Sequence, residues 1–319
     1  MSGSPAAEVA KLISDNVQQV VRGKPELVRL AMAALLTEGH VLMEDVPGLG
    51  KTTLARCLAR SVGGQWSRIQ FTPDLLPGDI TGVTAYHQKD ERFTFHPGAV
   101  FANVVVADEI NRGTPKTQSA LLEVMSERHV TVDGVTHEVP RPFLVVATQN
   151  PIEMEGTYRL PEAQLDRFLM RLSVGYPDVE AEVLVIMSDC AGVTADDLSP
   201  VVDIDTLRST IQTVRRSHLD PAVVEYAARL AGATRSHAAV RFGASPRGSI
   251  ALVRTAQALA AIDGRAFVTP DDIKDVAVPV LAHRLILTAD AELNQRGTTE
   301  ILGEVLARTP APAISAAGR

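Results

Sequence analysis

The fourteen residues MEDVPGLGKTTLAR, 43–56, confine this chain more tightly than any other stretch. An apolar run ends at Met43, a turn carries Gly48 and Gly50, and Leu54, Ala55 and Leu58 then recur on one helical face. A strand, a glycine-rich turn and a helix in that order turn a G-x-x-x-x-G-K-[ST] pattern into a mechanism. Its glycines let the backbone curl until successive N–H groups converge on one anion. Val46, Pro47, Gly48, Leu49, Gly50, Lys51, Thr52 and Thr53 are therefore expected to wrap a nucleotide's phosphates. Lys51 would reach the β- and γ-phosphates, and the Thr52 hydroxyl would ligate Mg²⁺. The first position of the pattern asks for glycine and holds Asp45. Asp45 sits where the strand ends, before the turn proper, so its side chain is expected to point away from the phosphates.

The surrounding pattern is α/β. Short β-rich runs at His40–Met43, Trp66–Phe71, Val104–Ala107, Phe143–Ala147 and Phe168–Val174 alternate with helical stretches. Val104–Ala107 is apolar on every residue, which suits a parallel sheet covered on both faces and a doubly wound fold. Two hairpins interrupt it, Val83–Pro97 around Lys89-Asp90 and Val130–Val139 around Asp133-Gly134. Helical patterns at 7–21 and 25–38 precede the sheet, and beyond about residue 178 helices take over. Three of these open on a capping residue followed by proline: Asp220-Pro221, Ser245-Pro246 and Thr269-Pro270. The expected division is N-terminal helices plus sheet core over 1–180, a smaller all-α domain over 181–309 and a frayed tail over 310–319.

Composition narrows the function. A net charge of −7 argues against a large nucleic-acid footprint. Cys57 and Cys190 lack metal-like spacing, and each falls in an apolar helical pattern that reads as core. Neither a secretory signal nor an apolar run long enough to span a membrane is present, so the chain reads as cytoplasmic.

Hydrolysis needs more than a phosphate loop. Val104–Ala107 ends in Asp108-Glu109, where Asp108 would join Thr52 around Mg²⁺ and Glu109 would polarise an attacking water as general base. The next buried strand ends Thr148-Gln149-Asn150, and Asn150 is expected to orient that water, with Gln149 as its rival. Arg247 lies in the first turn of the helix opened by Ser245-Pro246, where the helix dipole disfavours a cation. A cation at that end points to a bound anion; simple solvation is the alternative.

VLMEDVPGLGKTTLAR, VVVADEINRGTPKTQSALLEVMSERHVTVDG, PFLVVATQNPIEMEGTYRLPEAQLDRF and ASPRGS together resemble the MoxR family of AAA+ ATPases, over roughly residues 10–305. Asp in place of the first loop glycine is common there. The resemblance implies a P-loop AAA+ parallel-sheet core with two inserted hairpins, followed by an all-α lid. It further implies an ATP- and Mg²⁺-dependent homo-oligomeric ring, usually a hexamer, that matures partner proteins or inserts metals and cofactors. The usual partner carries a von Willebrand factor A domain. It makes Arg167, in LDRF, an arginine finger and gives Arg247 the sensor-2 position; a local ion pair of Arg167 with Asp166 or Glu162 is the competing reading. Arg159 departs from the proline common among relatives, and Arg112 faces either a subunit interface or a structural role.

In helicases of the wider clade such hairpins line a pore and are basic. Here Lys89 and Arg92 are offset in charge by Asp90 and Glu91, and Arg128 and Arg141 by Glu127, Asp133 and Glu138. Neither hairpin offers the positive funnel that single strands need. His87, His96, His129 and His137 lack ligand spacing and read as solvent-facing β positions. An ATP-driven remodelling enzyme leads; a nucleotide-dependent scaffold and a nucleic-acid motor follow.

Overall fold

The computed structural model describes residues 4–46, 48–89, 91–150 and 157–312; Pro47, Asp90 and most of the expected tail lie outside them. Helices α1 (Pro5–Val17) and α2 (Pro25–Thr37) lead into strand β1 (Val41–Glu44), the loop and helix α3 (Lys51–Ser61). Strands β2 (Trp66–Gln70), β5 (Val104–Asp108), β8 (Leu144–Gln149) and β9 (Met170–Leu172) join β1 in one sheet. Between them come β3 (Gly82–His87) with β4 (Arg92–Pro97), then helix α4 (Pro115–Glu127) and β6 (His129–Val132) with β7 (Val135–Glu138). The sheet runs β2-β5-β8-β1-β9 with every pairing parallel.

Why β5 and β8 are apolar at every position over residues 104–107 and 144–147 is now visible. Val104, Val106, Leu144 and Val146 enter one apolar core, while Val105, Ala107, Val145 and Ala147 enter another on the opposite face. Side chains alternate across a strand, so a sheet covered on both sides needs both sets apolar. The first core also holds α1, α2, α3 and the helices beyond residue 200; the second holds α4 and the bases of the hairpins.

Both expected hairpins form, with β3 antiparallel to β4 and β6 to β7. They lie side by side, and Phe95 stacks on His137 at 3.9 Å. His87 and His96 face each other across exposed strands with Nε2 atoms 3.2 Å apart, whereas His129 and His137 are half-buried.

After β9 the chain is helical: α5 (Val179–Cys190), α6 (Ile204–Arg215), α7 (Pro221–Arg235), α8 (Pro246–Ile262), and shorter helices to Arg308. The three Pro-led helices open as expected, with Asp220, Ser245 and Thr269 accepting from the backbone N–H groups of Ala222, Arg247 and Asp272. No helix among the described residues is long and apolar enough to cross a membrane.

One expectation fails at α5. Cys57 is a buried core residue, but Cys190 is exposed at the end of a helix that buries only Ala181. Periodicity marks a residue as apolar, not what it packs against.

Glu38 ties the helical part to the sheet. It ends α2 in the left-handed region (φ 51°) and is buried, yet Arg128, Arg141 and Arg215 all reach it, at 3.1, 2.6 and 2.7 Å. Burial alone would raise its carboxyl pKa; hydrogen bonding from Arg141 and the charge of Arg128 hold it below the ordinary range. Removing one side of such a cluster leaves charges unpaired, at a typical cost of about 3 kcal/mol. Glu38→Ala should therefore lower the urea midpoint at neutral pH. A depressed pKa stabilises above the unfolded value and the effect is lost as pH falls through the folded value. The difference between variant and parent should accordingly shrink in acid, which unfolding curves at pH 7 and pH 3 would show.

Candidate nucleotide site

The loop carries Gly48 and Gly50 at φ 85° and 81°, in the left-handed region. A β-carbon would meet nothing within 4 Å at either, so the requirement is conformational rather than spatial. Gly50 caps α3, whose unsatisfied N–H groups begin at the loop. Asp45 turns away, as its position at the strand end requires. Its Oδ2 accepts from Ser173 Oγ at 2.8 Å and from the N–H groups of Val174 and Gly175 at 2.5 and 2.9 Å. Partial burial opposes the charge, but these hydrogen bonds, with Lys51 nearby, keep the carboxyl below its ordinary range. The carboxylate thus staples the end of β1 to the turn after β9, work that glycine could not do.

Lys51 bends back to donate to the Asp45 carbonyl at 2.7 Å. Burial lowers its pKa, countered by Asp45, Asp108 and Glu109. Thr52 Oγ1 lies 3.3 Å from both carboxylate oxygens of Asp108, reaching across the end of β8. A hydroxyl and a carboxylate aimed at one point are hard oxygen donors of the kind Mg²⁺ uses beside phosphates. The pair therefore fits the ion that the sequence implies.

Three residues around that pair carry no motif of their own. Thr148 donates to Asp108 Oδ1 at 3.2 Å and accepts from the Glu109 N–H at 3.0 Å. Arg68, on β2, donates to Asp108 Oδ2 at 2.6 Å. Gln70, two residues on, donates to Glu109 Oε2 at 2.9 Å, and Arg112 reaches the same oxygen at 2.9 Å. The register of β2 against β5 puts Arg68 and Gln70 there: Gln70 pairs with Asp108. Their only signal in the sequence is their place as alternate polar residues within the β-rich run Trp66–Phe71. Glu109 itself sits at φ 54°, a conformation that costs a non-glycine residue of order 1–3 kcal/mol and recurs at functional sites.

Gln149 donates to Glu44 at 3.3 Å and so is occupied on the β1 side. Asn150, just beyond it, is buried at the tip of β8. A cavity of about 580 Å³ opens beside the loop, lined by Gly48, Thr52, Thr53, Trp66, Val185 and Asp189 among others. That is the size of small-ligand sites in general.

Arg167 and Arg247 are not there. Strand β1 runs from His40 toward the loop, and Leu169 donates to the His40 carbonyl at the other end. Both arginines line a second cavity of about 240 Å³ at that far edge, with Arg128, Arg254 and Arg284. Arg167 donates to Leu122 O and Ser126 Oγ of α4 at 2.5 and 2.7 Å. Asp166 instead takes Arg284 at 2.9 Å and Ser245 at 2.9 Å, so the competing local pair of Arg167 with Asp166 is not made. Arg247 is exposed, 3.9 Å from Asp166. Arg254 has its cation disfavoured by burial and by Arg215 and Arg128. Five arginines against Glu38 and Asp166 make this cavity strongly positive.

A five-stranded parallel sheet with a phosphate loop after β1, an acidic pair at the end of β5 two strands away and a helical domain after the sheet define an AAA-type ATPase fold. Residues 40–170 match the model of the ATPase family associated with various cellular activities (AAA), and residues 232–305 match the AAA lid domain. The crystal structure of a candidate ATPase from Cytophaga hutchinsonii superposes with a TM-score of 0.91 at 37% identity, covering 97% of this chain and 96% of that one. Chaperone MoxR1 of Mycobacterium tuberculosis is 44% identical over 94% of this chain and 81% of its own length. The uncharacterised protein YeaC of Bacillus subtilis is 46% identical over 96% and 95% respectively. Protein MoxR of Paracoccus denitrificans is 32% identical over 92% and 94%. The chain belongs to the MoxR family of AAA+ ATPases.

Proposed function

We propose that this protein is a cytoplasmic, ring-forming ATP hydrolase that remodels a protein client. The observation that carries the reading is the separation of two complementary halves. Loop, Thr52, Asp108 and Glu109 sit at one edge of the sheet, and a cluster of arginines including Arg167 and Arg247 sits at the other. A chain built this way brings the halves together by stacking head to tail, and repeated stacking that closes makes a ring. The hexamer, the von Willebrand factor A partner and the insertion of metal or cofactor belong to this proposal through the family alone.

Within it, backbone N–H groups of Gly48–Thr53 and the Lys51 ammonium hold the β- and γ-phosphates. Thr52 and Asp108 hold Mg²⁺, which when bound supplies positive charge to the phosphate oxygens. Glu109 takes a proton from water onto its carboxylate once that carboxylate is released by Gln70 and Arg112, and Asn150 orients the water. The guanidinium of Arg167 from a neighbour neutralises charge on the γ-phosphate.

The hold of Gln70 and Arg112 on Glu109 favours a second reading: a scaffold that binds ATP and turns it over rarely. Phosphate release and ATP binding, measured together, decide between them. Lys51→Ala should weaken ATP binding by roughly tenfold to a hundredfold, the worth of a hydrogen bond to a charged group. Unchanged binding would sink both readings, while binding without measurable turnover would leave the scaffold. Turnover stimulated by single-stranded DNA or RNA would instead revive a nucleic-acid motor.

A further inference from the structure

His87 on β3 and His96 on β4 are both exposed, and their Nε2 atoms stand 3.2 Å apart with ring centroids at 5.4 Å. Spacing along the chain hides this pair, because the two residues come from different strands. The register sets His87 opposite Arg92 and His96 opposite Val83. Ala85 and Thr94 form the pairing midway between them, on the same face of the hairpin. Two short side chains at that place leave the imidazoles room to extend toward each other.

The strands behind the rings are pinned. Neighbouring residues point to the opposite face. There Tyr86 packs on Phe93 at 5.1 Å, and Phe95 packs on Phe101 at 5.5 Å and on His137 at 3.9 Å. At the base of the hairpin the strands run so close that a β-carbon on Gly82 would stand 2.4 Å from the His96 carbonyl. A hydrogen bond between two exposed imidazoles only exchanges bonds that water would make, so it stabilises the hairpin little. A metal ion gains from both rings at once. With metal–nitrogen bonds of about 2.0–2.1 Å, two nitrogens on one ion lie about 2.9 Å apart at a right angle and about 3.3 Å apart at a tetrahedral one. The observed 3.2 Å falls between these.

We propose that His87 and His96 form a two-imidazole site for a divalent transition-metal ion of the zinc or copper kind. Both Nε2 atoms ligate, and each ring carries its proton on Nδ1. Imidazole suits these ions, whereas Mg²⁺ prefers oxygen. Neither histidine lines the loop cavity or the arginine cavity, so the site is separate from the nucleotide's Mg²⁺ and does not depend on the ATPase reading. Among the described residues no third His, Cys, Asp or Glu completes a metal-holding group with them. Water or an outside donor therefore takes the remaining positions, and the ion is held loosely enough to exchange.

Zn²⁺ binding by the full chain, free of any purification tag and measured in competition with a chromophoric chelator, tests this. The parent should hold one equivalent, and His87→Ala and His96→Ala should each weaken binding by at least about tenfold. A large excess of Mg²⁺ should leave the binding unchanged. With Cu²⁺ in place of Zn²⁺, electron paramagnetic resonance should show two imidazole nitrogens in the parent and one in either variant. Because both side chains are exposed, each variant should keep the parent's melting temperature and ATP binding, so the loss of metal reads the ligands and not the fold. A parent that binds no Zn²⁺, a variant that binds it as tightly as the parent, an ion displaced by Mg²⁺ or a Cu²⁺ spectrum unmoved by both substitutions each overturns the site.

Discussion

Glu109→Gln is expected to lower steady-state phosphate release by at least about a hundredfold, the span of a lost general base, while ATP binding stays near the parent value. The side chain keeps its size, and its amide oxygen can still accept from Gln70 and Arg112, which now hold the carboxylate at 2.9 Å each. The left-handed backbone of Glu109 is fixed by its N–H to Thr148, which the substitution leaves alone. Only the capacity to take a proton from water is removed. Direct phosphate-release kinetics and equilibrium ATP binding on the same preparation separate the two effects. A loss of binding in parallel with turnover would show instead that Glu109 supports the loop. A variant that turns over as fast as the parent would remove Glu109 from the chemistry and favour the scaffold.

How much of this was legible in the sequence follows from how local each signal is. The loop, Asp108-Glu109 and the Asp133-Gly134 hairpin are set by contiguous residues, and all appear where the pattern puts them. So do the proline-led caps, because a cap bonds within three residues of itself. Arg68 and Gln70 were invisible because their role depends on the register of β2 against β5, and no local rule fixes which residue of one strand faces which of another. The exposure of Cys190 and its helix was hidden for a different reason. Apolar spacing records that a face avoids water but not whether its cover comes from the same chain. The far-edge position of Arg167 and Arg247 is tertiary throughout: the motifs name the residues, and only the fold separates them from the loop.

That separation makes the consequence of losing Arg167 specific. Arg167→Ala should lower ATP turnover by about a thousandfold or more, as expected of an arginine that meets developing charge on the γ-phosphate. It should leave the melting temperature nearly unchanged. Its present acceptors are the Leu122 carbonyl, inside a helix, and the hydroxyl of exposed Ser126, so no buried group is orphaned. Chains carrying Lys51→Ala fail for the complementary reason, with an intact Arg167 but a crippled loop. In a mixture that co-assembles, some contacts pair the intact loop of one variant with the intact guanidinium of the other, and turnover returns at those contacts alone. Recovery should peak near equal proportions and vanish on dilution below the assembly concentration. An arginine that served its own chain's nucleotide would give no recovery at any ratio. One that merely braced α4 would lower the melting temperature without a matching loss of turnover. The arginine cavity and the loop cavity share no lining residue, which is the arrangement that makes the mixing experiment a test of contact between chains.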